Sequence, residues 1–131
     1  MGIQRDFIMR QLLMLFDVIQ KILRWRKEGE KGKAEDEIRY FYQILNIETD
    51  IRSMNIERLL EFLEKDRNLT NEHIEMVAFV LKEQGELEDD RKIKIDFFRK
   101  AWFLLDKVER ESTTFSIDRQ LKLEELKEFL N

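Results

Sequence analysis

The chain has 131 residues, 43% of them hydrophobic and 40% charged, with four glycines and neither proline nor cysteine. That length suits one domain of the usual ~100–200 residues, and the near absence of helix breakers favours helix. Collagenous, disulfide-framed and low-complexity classes are excluded, a β-sandwich is disfavoured, and the apolar share is too high for a chain that stays disordered.

A net charge of −4 gives no general attraction to nucleic acid. Residues 1–33 nevertheless hold eight basic and four acidic groups, net +4, leaving sixteen against twenty-four, net −8, for the rest. The lack of cysteine removes thiolate metal ligands and a Cys nucleophile, and it fits a reducing compartment.

Apolar spacing predicts about six helices. Ile8, Leu12, Leu15, Ile19 and Ile22 recur every three or four residues, widened by Leu13, Phe16 and Leu23 into a broad core-facing stripe. Arg10, Asp17, Lys21 and Arg24 interrupt this segment, so it reads as a first helix and not as a membrane span, and no small-x-small cleavage site follows. It ends near Gly29, where Gly29 and Gly32 bracket a charged turn. Ile38, Phe41, Tyr42 and Leu45 mark a second helix, followed by a polar connection over 49–55 with room for one helical turn. Ile56, Leu59, Leu60 and Leu63 make a third stripe that ends in the polar run 65–68.

Thr70 or Asn71 is placed to cap a fourth helix, whose Ile74 to Leu81 run is apolar nearly all round and therefore central. Gly85 is expected to supply the left-handed residue that closes it. Asp89 or Asp90 opens a fifth helix, expected to be the longest, with rows of Ile93, Phe97, Ala101, Leu104 and Val108 beside Phe98, Trp102 and Leu105. Ser116 is placed to cap a last helix carrying Ile117, Leu121, Leu126 and Leu130. No segment alternates long enough for a strand. The expectation is a single all-α domain over 1–131, built of antiparallel helix pairs joined by short connections.

Gly32 to Leu45 resembles the second helix of a tetratricopeptide repeat, in which an aromatic pair precedes a small residue and Leu. Gly85 to Ala101 is similar, with Phe97, Phe98, Lys100 and Ala101 in those roles. The second stretch carries four extra residues, about one helical turn. The two glycines lie 53 residues apart, against 34 in a regular array. The heptapeptide over 4–10, Gln-Arg-Asp-Phe-Ile-Met-Arg, resembles the start of an uncharacterised family of small all-helical bacterial proteins. These resemblances imply a bacterial, cytoplasmic protein, arranged either as a tetratricopeptide-like right-handed array or as an irregular bundle. They carry over neither an activity nor any functional residue.

Chemistry is sparse. A di-iron bundle needs Glu-x-x-His on two helices, whereas the sole histidine, His73, follows Thr70 at that spacing and reads as a solvated or capping group. Ser53, Ser112 and Ser116 fall in turns, and no glycine-rich phosphate loop is present. Rows of carboxylates such as Glu57, Glu61 and Glu64 are to be expected by chance among 28 acids. The expectation is a non-enzymatic protein without catalytic, cofactor-binding or metal-binding residues.

Aromatic residues point instead to recognition. Tyr40, Phe41 and Tyr42 are consecutive and cannot all face one core; Phe97 with Phe98, and Trp102 with Phe103, raise the same difficulty. Tyr and Trp favour protein anchors because they bury area while keeping a polar tip. The expected function is a protein–protein interaction or scaffold module, binding a protein partner or forming a homodimer. Its apolar groove would be edged by Tyr40, Trp102 and Phe103, with Arg24 and Arg26 on an anion-binding rim. The alternative is polyanion or nucleic-acid binding by the basic helix end over 24–33, where Arg24, Trp25 and Arg26 offer flat cationic and aromatic faces.

Overall fold

The computed structural model describes residues 2–131, with side chains from residue 5 onward. Six α-helices follow one another: α1 (Gly2–Lys27), α2 (Lys31–Ile44), α3 (Ile56–Glu61), α4 (Asn71–Leu87), α5 (Arg91–Glu111) and α6 (Ile117–Leu130). A 3-10 turn, Ile51–Ser53, lies in the polar connection, and α3 runs on into a π turn, Phe62–Asp66. The described residues contain no strand, so the all-α fold of about six helices and packed helix pairs is the observed one.

The chain divides into two compact units, Met1–Thr49 and Asp50–Asn131. In the first, α1 and α2 pack as a helical hairpin. Leu15, Val18, Ile19 and Ile22 are buried on α1, as are Ala34, Ile38 and Phe41 on α2. Each helix closes on a residue in the left-handed region. Gly29 has φ +76°, and the Glu30 and Gly29 N–H groups donate back to Trp25 and Arg26 carbonyls at 2.8 and 3.0 Å. Asn46, at φ 56°, does the same for α2, with Ile47 and Asn46 donating to Tyr42 and Gln43. Both ends satisfy carbonyls that a helix terminus otherwise leaves unpaired.

In the second unit α4 packs on α5, which also carries α6 and α3. Side-chain oxygens fix the helix starts: Asn55 accepts from the Arg58 N–H, Thr70 from His73, Asp90 from Lys92 and Ile93, and Ser116 from Arg119. Ile74, Val77, Ala78, Val80 and Leu81 make α4 the buried centre of this unit, facing Phe97, Phe98, Ala101, Leu104 and Leu105 of α5.

Four expectations are corrected. Gly85 does not close α4; it lies inside the helix, and a Cβ there would come 2.5 Å from the Phe98 ring. Its role is close approach between helices. Gly32 likewise sits in the first turn of α2, leaving Gly29 as the left-handed residue between the hairpin helices. The longest helix is α1, at 26 residues against 21 for α5. On α6, Ile117 and Leu121 face solvent, and the buried residues are Leu126 and the cation Arg119.

Candidate interaction surfaces

The most unusual surface belongs to α1. Its inner face buries Leu15, Val18, Ile19 and Ile22, but Met9, Leu13 and Phe16 are 51%, 62% and 47% exposed. With 3.6 residues per turn, positions 9, 13 and 16 fall in one row, on the side of the helix turned away from the buried row. The stripe read from the sequence as one broad core-facing band is therefore two faces. Phe7 and Met14 are exposed along a second edge of the outer face.

Tyr40 joins that second edge. It is 46% exposed on α2, and its hydroxyl points at the Met14 sulfur, 3.9 Å away. Of the consecutive aromatics, Phe41 is fully buried and Tyr42 half-buried, with their rings edge-to-face at 5.4 Å. Three side chains 100° apart thus take three environments, as the helix period demands. The second unit solves the same problem differently. Phe97 and Phe98 are both buried, so that pair does not lie at an edge, whereas Trp102 and Phe103 are half-buried on α5. Tyr40 belongs to the first unit and Trp102 and Phe103 to the second, so neither unit alone assembles all three.

At the other end of the hairpin, Arg24 of α1 and Lys33 of α2 converge on Trp25, at 5.1 and 4.5 Å from the ring centroid. Arg24 also pairs with Glu28 at 3.6 Å, and Arg26 is half-buried in the same last turn. Cations here complement the negative end of the α1 dipole. The indole therefore meets the protein's own cations, which compete with any stacked base.

The second unit carries a polar cleft of about 380 Å³ between α4, the end of α5 and the start of α6. Arg119, a buried residue of its lining, donates to Glu75 at 3.1 Å, to Glu109 at 2.8 Å and to the Thr114 carbonyl at 2.9 Å. Gln120 also bonds Glu109. Burial pushes the Glu75 carboxyl above its ordinary range, against the opposing pull of Arg119. Lys107 reaches Glu64 at 2.6 Å, Glu111 at 3.0 Å and the Asn71 amide oxygen at 2.5 Å. Burial alone would lower the Lys107 pKa, but the two carboxylates outweigh it and hold it above the usual lysine value. Glu111 is correspondingly lowered by its bonds from Lys107 and Asn71. These cations act as joints: Arg119 ties α6 to α4 and α5, and Lys107 ties the π turn to α4 and α5.

His73 is buried, which corrects the solvated half of its reading and leaves the capping half. Its Nδ1 accepts from the Thr70 N–H at 3.3 Å and sits 2.7 Å from the Thr70 hydroxyl, while the His73 backbone N–H donates to that hydroxyl oxygen at 3.3 Å. Burial depresses its pKa, with Glu72 pulling the other way. Among the described residues no group of three potential ligands is placed to hold a metal. No described helix is long and apolar enough to cross a membrane.

Comparison with family models, with curated proteins and with solved structures gives no match. Fold and surface chemistry therefore carry the functional reading.

Two features escaped the sequence. The buried cations Arg119, Lys107, Lys82 and Lys100 are indistinguishable in sequence from dozens of exposed charges. The outer stripe of α1 had a signal. Apolar residues at 9, 13 and 16 lie too far round the helix from 15, 19 and 22 to share a single buried face.

Proposed function

We propose that the chain is a protein–protein interaction module whose docking surface is the outer face of α1, bordered by Tyr40 of α2. The observation that supports it most is the exposed row Met9, Leu13 and Phe16, laid along a helix whose inner face is already buried. Burying a large apolar side chain is worth ~1.5–3 kcal/mol, so a contiguous row left in water is a standing drive for association. Tyr40 and the half-buried Trp102 have the amphipathic character of interface anchors, and the half-buried Phe103 adds apolar area. The likeness of both hairpins to tetratricopeptide units favours a scaffold role, in keeping with the bacterial, cytoplasmic setting that the opening heptapeptide implies. The test is affinity capture with the wild-type chain and with the Leu13→Lys, Phe16→Lys double variant. A protein held by the first and lost by the second, with helix content unchanged, supports the reading; identical retention contradicts it.

A second reading rests on the convergence of Arg24 and Lys33 on Trp25, with Arg26, Lys27 and Lys31 close by in sequence. A polyanion bound there would be released steeply by salt, because each neutralised phosphate frees counterions. Retention on heparin that vanishes with Arg24→Glu and Arg26→Glu supports it, and passage through the column without retention removes it.

A further inference from the structure

The outer face of α1 has a charge pattern that selects its partner. Beside the row Met9, Leu13 and Phe16 lie four exposed charged residues on one flank, in the order Asp6, Arg10, Asp17 and Lys21; Arg24 continues that flank beyond the apolar row, where it pairs with Glu28 at 3.6 Å. Asp6 and Lys21 share a midpoint between Leu13 and Met14, and Arg10 and Asp17 share the same one. The sequence of signs, minus, plus, minus, plus, therefore inverts when the helix is turned end over end about that point.

Helices that pair antiparallel set like flanks against each other, whereas parallel pairs set one flank against the opposite one. We propose that α1 pairs antiparallel with α1 of a second copy, about a two-fold axis beside Leu13. Asp6 then faces Lys21 of the other copy and Arg10 faces its Asp17, each pair occurring twice. Leu13 meets Leu13 at the axis, and Met9 lies near Phe16 of the other copy. This is an isologous interface, which closes at two chains. A parallel arrangement gains no such match, because the flank beyond the apolar row carries Arg5 and Leu12 instead.

Within a single helix, Asp6 with Arg10 and Asp17 with Lys21 are also favourable four-residue spacings. That explains each pair by itself. It does not explain why the strip borders an uncovered apolar row or why both pairs centre on it. Exposed ion pairs are individually weak, so here they fix orientation while the apolar row supplies the attraction.

The inference rests on the α1 face being an interaction surface and names its occupant as this same chain. The seam from Asp6 to Lys21 is only ~22 Å long. Interfaces near or below ~1,200 Å² associate weakly, so the mass has to be followed to high concentration, roughly 500 µM.

Sedimentation equilibrium of the full chain should show a dimer that weakens with salt. Arg10→Glu and Asp17→Arg should each drop the mass toward monomer, since either change sets like charges together at both pairs. Mixing those two variants should restore a dimer, now a heterodimer, and so should combining both changes in one chain. With no native cysteine, Leu13→Cys should cross-link to itself, whereas Arg5→Cys should not. A monomer at every concentration, a dimer indifferent to both charge reversals, or self-cross-linking at position 5 overturns the proposal. A monomer that still loses a captured protein through Leu13→Lys and Phe16→Lys would refute self-pairing alone and leave the α1 face as a surface for another partner.

Discussion

Gly85 of α4 and Phe98 of α5 are packed so closely that the glycine has no room for a methyl group. A Cβ at position 85 would lie 2.5 and 2.8 Å from two Phe98 ring carbons and 3.2 Å from the Phe97 Cβ. Phe98 is buried and its ring stacks on Phe129 at 4.7 Å, so it has little freedom to retreat. Gly85→Ala gains helix propensity of up to ~1 kcal/mol but overpacks the α4–α5 contact, which commonly costs 1–3 kcal/mol. The expected result is net destabilisation of about 1 kcal/mol, read as a lower urea midpoint.

Gly32 is the contrasting case. It lies in the first turn of α2, with no heavy atom within 4 Å of the place a Cβ would occupy and no left-handed backbone. Gly32→Ala should raise stability by about 0.5–1 kcal/mol, chiefly by restricting the unfolded chain. Thermal unfolding of the two alanine variants should therefore shift in opposite directions.

His73 couples the start of α4 to pH. Its folded pKa lies below the ordinary 6.5 because the ring is buried, and its unprotonated Nδ1 accepts the Thr70 N–H. A depressed folded pKa means that the unfolded chain takes up the proton first. The associated stability is whole above about pH 6.5 and is lost as pH falls through the folded value. His73→Gln keeps the usual capping-box geometry without a titrating ring. The midpoint of the wild type should drop between pH 7 and pH 5, and that of the variant should drop less. Equal slopes would contradict the coupling of His73 to pH.

Arg119 is the buried joint of the second unit. Arg119→Met strands Glu75 and Glu109 as facing carboxylates, and breaking a buried pair by removing one partner costs ~3–5 kcal/mol. Both carboxylates keep some water, which places the expected loss at the lower end, about 3 kcal/mol. Glu75→Gln should cost less, about 1 kcal/mol, because the amide oxygen can still accept from Arg119 and burial already disfavours the charged carboxyl. Urea unfolding at neutral pH separates the two through their midpoints.

The parts legible in the sequence were those fixed by local chemistry. The apolar period placed all six helices, and Ser116 was recognisable as a cap, while Thr70 or Asn71 and Asp89 or Asp90 were left open until the structure selected Thr70 and Asp90. Gly85 was misread because close approach and helix closure both call for glycine, and only the position of Phe98 distinguishes them. Asn46 went unnoticed as a helix stop, since asparagine takes the left-handed region less often than glycine does. On α6 the row Ile117, Leu121, Leu126 misled because a two-sided helix can bury Arg119 when Glu75 and Glu109 wait for it. For the candidate surface, Tyr40 was legible as an aromatic that could not fit the core. The α1 row lay in an apolar arc too wide for one buried face, and that excess width was read as a broad core stripe until burial divided it.

If the outer face of α1 meets protein in the cell, a residue placed on it has to lie against that protein. A photo-cross-linking residue introduced in place of Leu13, with a control in place of the exposed Glu57, tests it most directly. Position 13 should give a covalent adduct to protein, either a second copy of this chain or another polypeptide, and position 57 none. Position 13 yielding no more adduct than position 57 would contradict it.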